Sequence, residues 1–298
     1  MPLRHLAFIA VTLVLALPAR ADPIYGHLDQ DKTNCTPMGC GPTAAVNSFI
    51  FLQNKYPDIY DHKLVASDSQ ADMVKVVDDL IDLDKGYMVT DCKEDGTYYA
   101  AFITGKQKYI EDKVPGKTVY NARVWFAWDT ALGGDKPAYV TDQTAPTVAW
   151  MLKEVQDGED VEILLDSTGF QHYVTVTGFA WFDANDDGKV DPGEYSIDFV
   201  DPKGGKDVEA VLSRAADGRL TINYDGKLVA ISVAVSESPT PEPGALLLVG
   251  PAVVLLVSIR AGRRAPRACP SSVPPRRSAA CAGWLPKRLA ARRAPSAR

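Results

Sequence analysis

Basic residues are scarce in most of this chain. Residues 22–238 hold 19 Lys and Arg against 37 Asp and Glu, a strongly negative balance. Such a field repels phosphate, which excludes nucleic acid as a partner of this stretch. It suits solubility, divalent cations and cationic partners instead. Cysteine is scarce as well: Cys35, Cys40 and Cys92 precede residue 238, and only Cys269 and Cys281 follow it. Three is odd, so in an oxidising compartment a free thiol is left beside at most one disulfide. Histidine is rarer still. Beyond residue 21 there are only His27, His62 and His172, which leaves few candidates for any imidazole chemistry. No internal repeat is present. The N-terminal apolar run, Leu6 to Leu17, falls short of the roughly 20 residues that span a bilayer.

Both ends of the chain carry export signals. Arg4 and His5 precede the apolar run, and Pro18 and Ala19-Arg20-Ala21 follow it. That is the layout of a signal peptide over residues 1–21, cut near Ala21. At the other end a Pro-rich linker leads into an apolar membrane stretch, residues 244–259, and then into Arg260, Arg263 and Arg264. Arginines behind an apolar segment halt translocation and mark the cytoplasmic side. Pro241-Glu242-Pro243, the apolar stretch and the arginines, together residues 237–264, resemble the PEP-CTERM sorting signal of bacterial surface proteins. The resemblance implies an exosortase-type processing enzyme as partner. It also implies a precursor tethered to the inner membrane, later released to the cell surface or outside. Residues 265–298 are rich in Arg, Ala and Pro without apolar periodicity. They form a basic disordered tail, either a cytoplasmic extension or a frameshifted reading of the gene.

Between these ends, residues 22–236 suffice for one domain with its own core. Its first half carries helical periodicity over 43–55 and 70–81, with further helix candidates at 97–113 and 146–156. Its second half changes period. Runs at 161–165, 173–182, 195–200, 220–224 and 228–235 are rich in Val, Ile and aromatics and are separated by Gly, Asp and Pro. These predict strands of a mostly antiparallel sheet, and helices followed by strands predict an α+β fold.

Cys40 lies in GCGPTAAVNSF, at the start of the first helix. The unpaired amides and positive dipole end there favour a thiolate, and Gly39 and Gly41 leave room for a close approach. His172 opens the strand HYVTVTGF, and the strand YSIDFVDP offers Asp198 and Asp201 as partners for an imidazole. CGPTAA at a helix start, PTVAWMLKEVQDGEDVEILL, QHYVTVTGF and IDFVDP, in that order over roughly residues 30–203, resemble papain-like cysteine peptidases of the bacteriocin-processing, double-glycine type. The resemblance implies a papain-like fold, N-terminal helices packed on the C-terminal sheet, and a peptide or protein substrate. It implies Cys40 as nucleophile, His172 as general base and acid, and Asp201 as the orienting carboxylate. Where that family has a Gln about six residues before the nucleophile, this chain has Asn34, with Gln30 further upstream; either amide is a candidate oxyanion donor. With Cys40 as nucleophile, Cys35 and Cys92 remain as a disulfide pair.

Residues 183–194, DANDDGKVDPGE, match the twelve-residue calcium-loop pattern without a gap. Asp183, Asn185 and Asp187 offer side-chain oxygens, Lys189 its carbonyl, Asp191 a water-mediated ligand and Glu194 two oxygens, while Gly188 allows the sharp turn. The flanks read as strands rather than the paired helices of an EF-hand. The sequence is thus read as a secreted, calcium-stabilised cysteine hydrolase, a peptidase with a Cys-His-Asp triad. The alternative is a catalytically inactive calcium-binding surface or biofilm-matrix protein.

Overall fold

The computed structural model describes residues 25–181 and 193–240. The signal peptide, the sorting segment from residue 241 onward with its apolar stretch 244–259, the tail, and the calcium-loop positions Asp183, Asn185, Asp187, Lys189 and Asp191 lie outside them. Among the described residues no helix is long and apolar enough to cross a membrane.

A 3-10 turn, Gln30–Lys32, leads into α1, Cys40–Lys55, followed by α2, Pro57–Tyr60, and α3, Gln70–Ile81. A short hairpin, β1 Thr90–Asp91 and β2 Gly96–Thr97, precedes α4, Tyr99–Lys113. Then come β3 Thr118–Val124, α5 Thr130–Gly133, β4 Val140–Thr141 and α6 Val148–Asp157. The remaining elements are β5 Asp160–Ser167, β6 Phe170–Trp181, β7 Tyr195–Asp201, β8 Lys206–Val211, β9 Ser213–Arg214, β10 Leu220–Tyr224 and β11 Lys227–Pro239.

Nine strands form one sheet in the order β4-β3-β11-β5-β6-β7-β8, with β10 on β11 and β9 on β10. Only β3 and β4 run parallel. Alternation along the strands explains the two-sided core. On β5, Leu164 packs with Phe49, Leu52 and Phe102 on the side of α1 and α4, while Ile163 and Leu165 pack with Trp150 and Met151 of α6 on the other. Each large apolar side chain removed from water in this way contributes about 1.5 to 3 kcal/mol.

Helix α1 is the interior helix. Its residues from Cys40 to Gln53 are all buried, so it has apolar or small residues on every face rather than a stripe. Pro42 fits its first turn, where a missing N–H costs nothing. Gly41 is required by close packing: a β-carbon there would stand 3.0 Å from Thr97 and 3.3 Å from the Tyr173 ring. Helix α3 begins at Ser69, whose hydroxyl accepts from the Asp72 N–H, and buries Met73, Val76, Val77 and Leu80. Helix α6 is capped by Thr147 and ends at Gly158, which takes a left-handed conformation.

The architecture is therefore α+β, helices with one large mixed sheet. What these elements support is this general architecture rather than a specifically papain-like arrangement. Of the six strands not foreseen, β1, β2, β4 and β9 are only two residues long, and the longer ones are β3 and β8. Both alternate, Tyr120, Ala122 and Val124 with Asn121 and Arg123 in the first and Val208 and Ala210 with Asp207 and Glu209 in the second, but each run is short and carries only two or three inward apolar positions.

Candidate functional site

Three candidate residues meet at one place. The start of α1 supplies Cys40, β6 supplies His172 and the end of β7 supplies Asp201. Strands β6 and β7 are paired neighbours, so their register sets the spacing of His172 and Asp201. The His172 Nε2 lies 2.8 Å from Asp201 Oδ1. Asp201 also accepts the Tyr224 hydroxyl on Oδ2 at 2.8 Å and the Lys203 N–H on Oδ1 at 2.8 Å. Phe170 and Tyr224 flank the imidazole, with ring centroids 6.0 and 5.3 Å away. Cys40 is the only free cysteine among the described residues and is 8% exposed.

The protonation of this group follows from its neighbours. Burial opposes charge on His172, but hydrogen bonds to Asp201 and Cys40 outweigh it and hold the imidazole up at about 9. Burial pushes the Cys40 thiol up, yet the hydrogen bond and charge of His172, with the Tyr173 and Gly41 amides, leave it below its ordinary value. Burial likewise raises Asp201, and His172, Tyr224 and the Lys203 amide bring it below the usual carboxylate range. The arrangement is a polarised thiol beside a charged imidazole.

The other expected participants are elsewhere. Asn34 turns its amide nitrogen to Asp78, at 3.0 and 2.9 Å, on the exposed side of α3. Gln30 does lie beside Cys40, but its amide nitrogen donates to the Pro37 carbonyl at 2.7 Å. Asn34 is thus engaged by Asp78, while the Gln30 amide has one of its two N–H groups on Pro37 and the second left over. Cys35 and Cys92 form a disulfide, which ties the β1–β2 hairpin to the segment before α1. Glu194 is buried at the entrance to β7. Of the remaining histidines, His27 contacts Asp207 at 3.0 Å, and His62 lies 3.4 Å from Gln53.

A second group was not foreseen. Asp160, Glu162 and Glu237 bring carboxylate oxygens within 4.8 Å of one another in the interior, an arrangement able to coordinate a divalent cation. Lys106 of α4 reaches into them, 3.0 Å from Asp160, 2.6 Å from Glu162 and in contact with Glu237. All four side chains are essentially inaccessible. Burial would lower the Lys106 ammonium, but the three carboxylates outweigh it and raise it well above its usual range. Burial also raises Glu162, to about 7, and lifts Glu237 well above its usual value, with Lys106 opposing in both cases. One oxygen of Glu162 has no hydrogen-bond partner. No sequence signal marks Lys106: it sits among helix-forming residues in YAAFITGKQKYIEDK like any surface lysine.

No family model matches the chain, and no curated protein matches it. The resemblance to bacteriocin-processing peptidases is thereby corrected, and so is that to the PEP-CTERM family. The fold is a general α+β one, two of the three cysteines among the described residues, Cys35 and Cys92, are joined in a disulfide, and Asn34 is engaged by Asp78. The cysteine-peptidase activity that the resemblance implied falls with it. The transmembrane call, residues 244–259, lies outside the described residues.

Proposed function

We propose that the chain is an exported, cation-binding surface protein that recognises partners without turning them over. The observation that carries this reading is the grouping of Asp160, Glu162 and Glu237 within 4.8 Å. Three carboxylates against the single Lys106 ammonium leave two negative charges in a place that solvates them poorly. Such a group takes up protons or a cation. The overall excess of acid over base in residues 22–238 favours the same chemistry.

Calcium is the cation of choice, because all the donors are hard oxygens. Its principal site is the loop of residues 183–194, where Asp183, Asn185, Asp187, the Lys189 carbonyl, Asp191 and Glu194 supply the ligands. The interior group is a second cation position, shared with Lys106. The loop joins the sequence of β6 to that of β7, so an ion there stiffens the connection between two central strands. Export by the N-terminal signal of residues 1–21 carries this domain to the cell surface or outside.

The test is a calcium titration of the purified domain by calorimetry and thermal melting. The melting temperature is expected to rise with calcium, by an amount equivalent to about 2.7 kcal/mol at one hundred times the dissociation constant. Asp183→Asn with Asp187→Asn is expected to remove the tighter binding, and Glu237→Gln the remainder. In parallel, a peptide library is expected to be left uncut by both the native domain and Cys40→Ala. Cleavage that depended on Cys40 would contradict the reading.

A further inference from the structure

We infer that the buried Lys106 condenses with Asp160, so that an amide bond formed by the protein's own side chains ties α4 to β5. Strand pairing places the carboxyl groups. Asp160 and Glu162 alternate onto one face of β5, and Asp160 is the register partner of Glu237 on β11. Lys106 enters from α4, its nitrogen 3.0 Å from Asp160 Oδ2, 2.6 Å from Glu162 Oε1 and in contact with Glu237 Oε2. Phe49 stands beside it, with its ring centroid 5.8 Å from that nitrogen. An amine and a carboxyl held within reach in this way react as though at an effective concentration on the order of 10⁵–10⁸ M. The product also removes two opposite charges that the interior solvates poorly.

Asp160 is the acceptor because its carboxyl is the one prepared for attack. Its Oδ1 accepts the Glu237 backbone N–H at 3.0 Å, and its Oδ2 takes the Ser48 hydroxyl. Among the described residues no backbone N–H reaches the carboxyl of Glu162 or Glu237. An N–H so placed stabilises the oxyanion that develops on Oδ1 when the carbon is attacked. Glu162 and Glu237 carry the protons. Burial raises both, Glu162 to about 7, so they exchange protons at neutral pH. The three carboxylates together favour the Lys106 ammonium, which makes the free amine a minor form and the reaction slow. It need happen only once in the life of the chain.

The step balances within the group. Lys106 Nζ passes one proton by way of Glu237 to Asp160 Oδ2, and the freed lone pair attacks Cγ, forming the N–C bond. The Glu237 N–H holds the oxyanion this leaves on Oδ1. A second proton goes from the nitrogen by way of Glu162 to Oδ2, which departs as water when the C–O bond breaks. Ammonium and carboxylate become amide and water, nothing is oxidised or reduced, and both glutamates end as they began. The net charge of the group is unchanged, now carried by Glu162 and Glu237.

The experiment takes the full chain after export, unfolds and reduces it, digests it with trypsin and reads the peptides by mass spectrometry. The peptides carrying Lys106 and Asp160 are expected as one species, lighter than their sum by one water, with fragmentation placing the bond between those two residues. Lys106→Arg, which keeps the charge, and Asp160→Ala are each expected to abolish that species, and Glu237→Gln to lower the joined fraction; melting curves check each fold. Recovery of the two peptides unjoined from folded native protein overturns the inference, whatever the variants do. A bond from Lys106 to Glu162 or Glu237 overturns it as well. Calcium binding without the joined peptides sinks this inference alone, and joined peptides without calcium binding sink the cation reading alone, since Glu162 and Glu237 and the loop of residues 183–194 are left free by the condensation.

Discussion

His172 and Asp201 are joined across neighbouring strands by a 2.8 Å contact, and the same carboxylate is held by the Tyr224 hydroxyl and the Lys203 amide. The carboxylate is thus fixed before it meets the imidazole. Its negative charge, with that of Cys40, keeps His172 protonated in spite of burial.

The pair gives a pH dependence with a definite sign. A raised His172 stabilises the fold fully below its unfolded value of about 6.5, and this contribution is lost as pH rises through about 9. A lowered Cys40 stabilises it above its unfolded value near 8.5 and loses that contribution as pH falls through the folded value. Above about 8.5 the thiol's contribution is complete while the imidazole's is still being lost, so the stabilisation by the pair falls as pH rises from about 8.5 through about 9. Urea midpoints of native protein and the Cys40→Ala, His172→Ala double variant, compared from pH 5 to 10, are expected to converge above about 8.5.

Thiol reactivity follows from the same contact. At pH 7 the native thiol is expected to react with iodoacetamide faster than a free cysteine does. His172→Ala is expected to slow it and move its pH midpoint upward, because burial alone raises the thiol. Asp201→Asn is expected to act in the same direction, more weakly. A rate unaffected by either change would mean that the imidazole does not control the thiol.

The disulfide holds the β1–β2 hairpin against the segment before α1. Its half-cystines lie 57 residues apart in sequence. Closing a loop of that size constrains the unfolded chain by about 4 kcal/mol. Cys35→Ser with Cys92→Ser is expected to lose most of that in a denaturant titration, while Cys40 alkylation continues.

Lys106→Met is expected to destabilise the fold by about 3 to 5 kcal/mol, because it leaves buried carboxylates without their resident cation. Adding Glu162→Gln and Glu237→Gln is expected to restore part of the loss. Calcium is expected to stabilise Lys106→Met more than the native protein, which thermal melting with and without the ion measures.

The elements carrying this site were largely legible in the sequence. Helical period marked α3 at its observed bounds, and strand alternation located β10 and most of β5, β6, β7 and β11. Cys40, His172 and Asp201 were recognisable from local context, a helix start and two strand ends. The site's surroundings were not. Tyr224 comes from a strand paired to β11, and Lys106 from a helix whose pattern resembles a solvated one; both partnerships arise only when the sheet closes. The family resemblance failed because short motifs around a cysteine and a histidine recur on unrelated folds. Asn34 shows the cost of arguing from offset alone, since the turn before α1 directs it to Asp78 instead.

The most direct test of the central claim is the calcium isotherm of the exported domain, read beside its melting temperature. The account expects saturable binding, a rise in melting temperature, and loss of the tighter phase in Asp183→Asn with Asp187→Asn. No heat and no shift in melting temperature at millimolar calcium would contradict it.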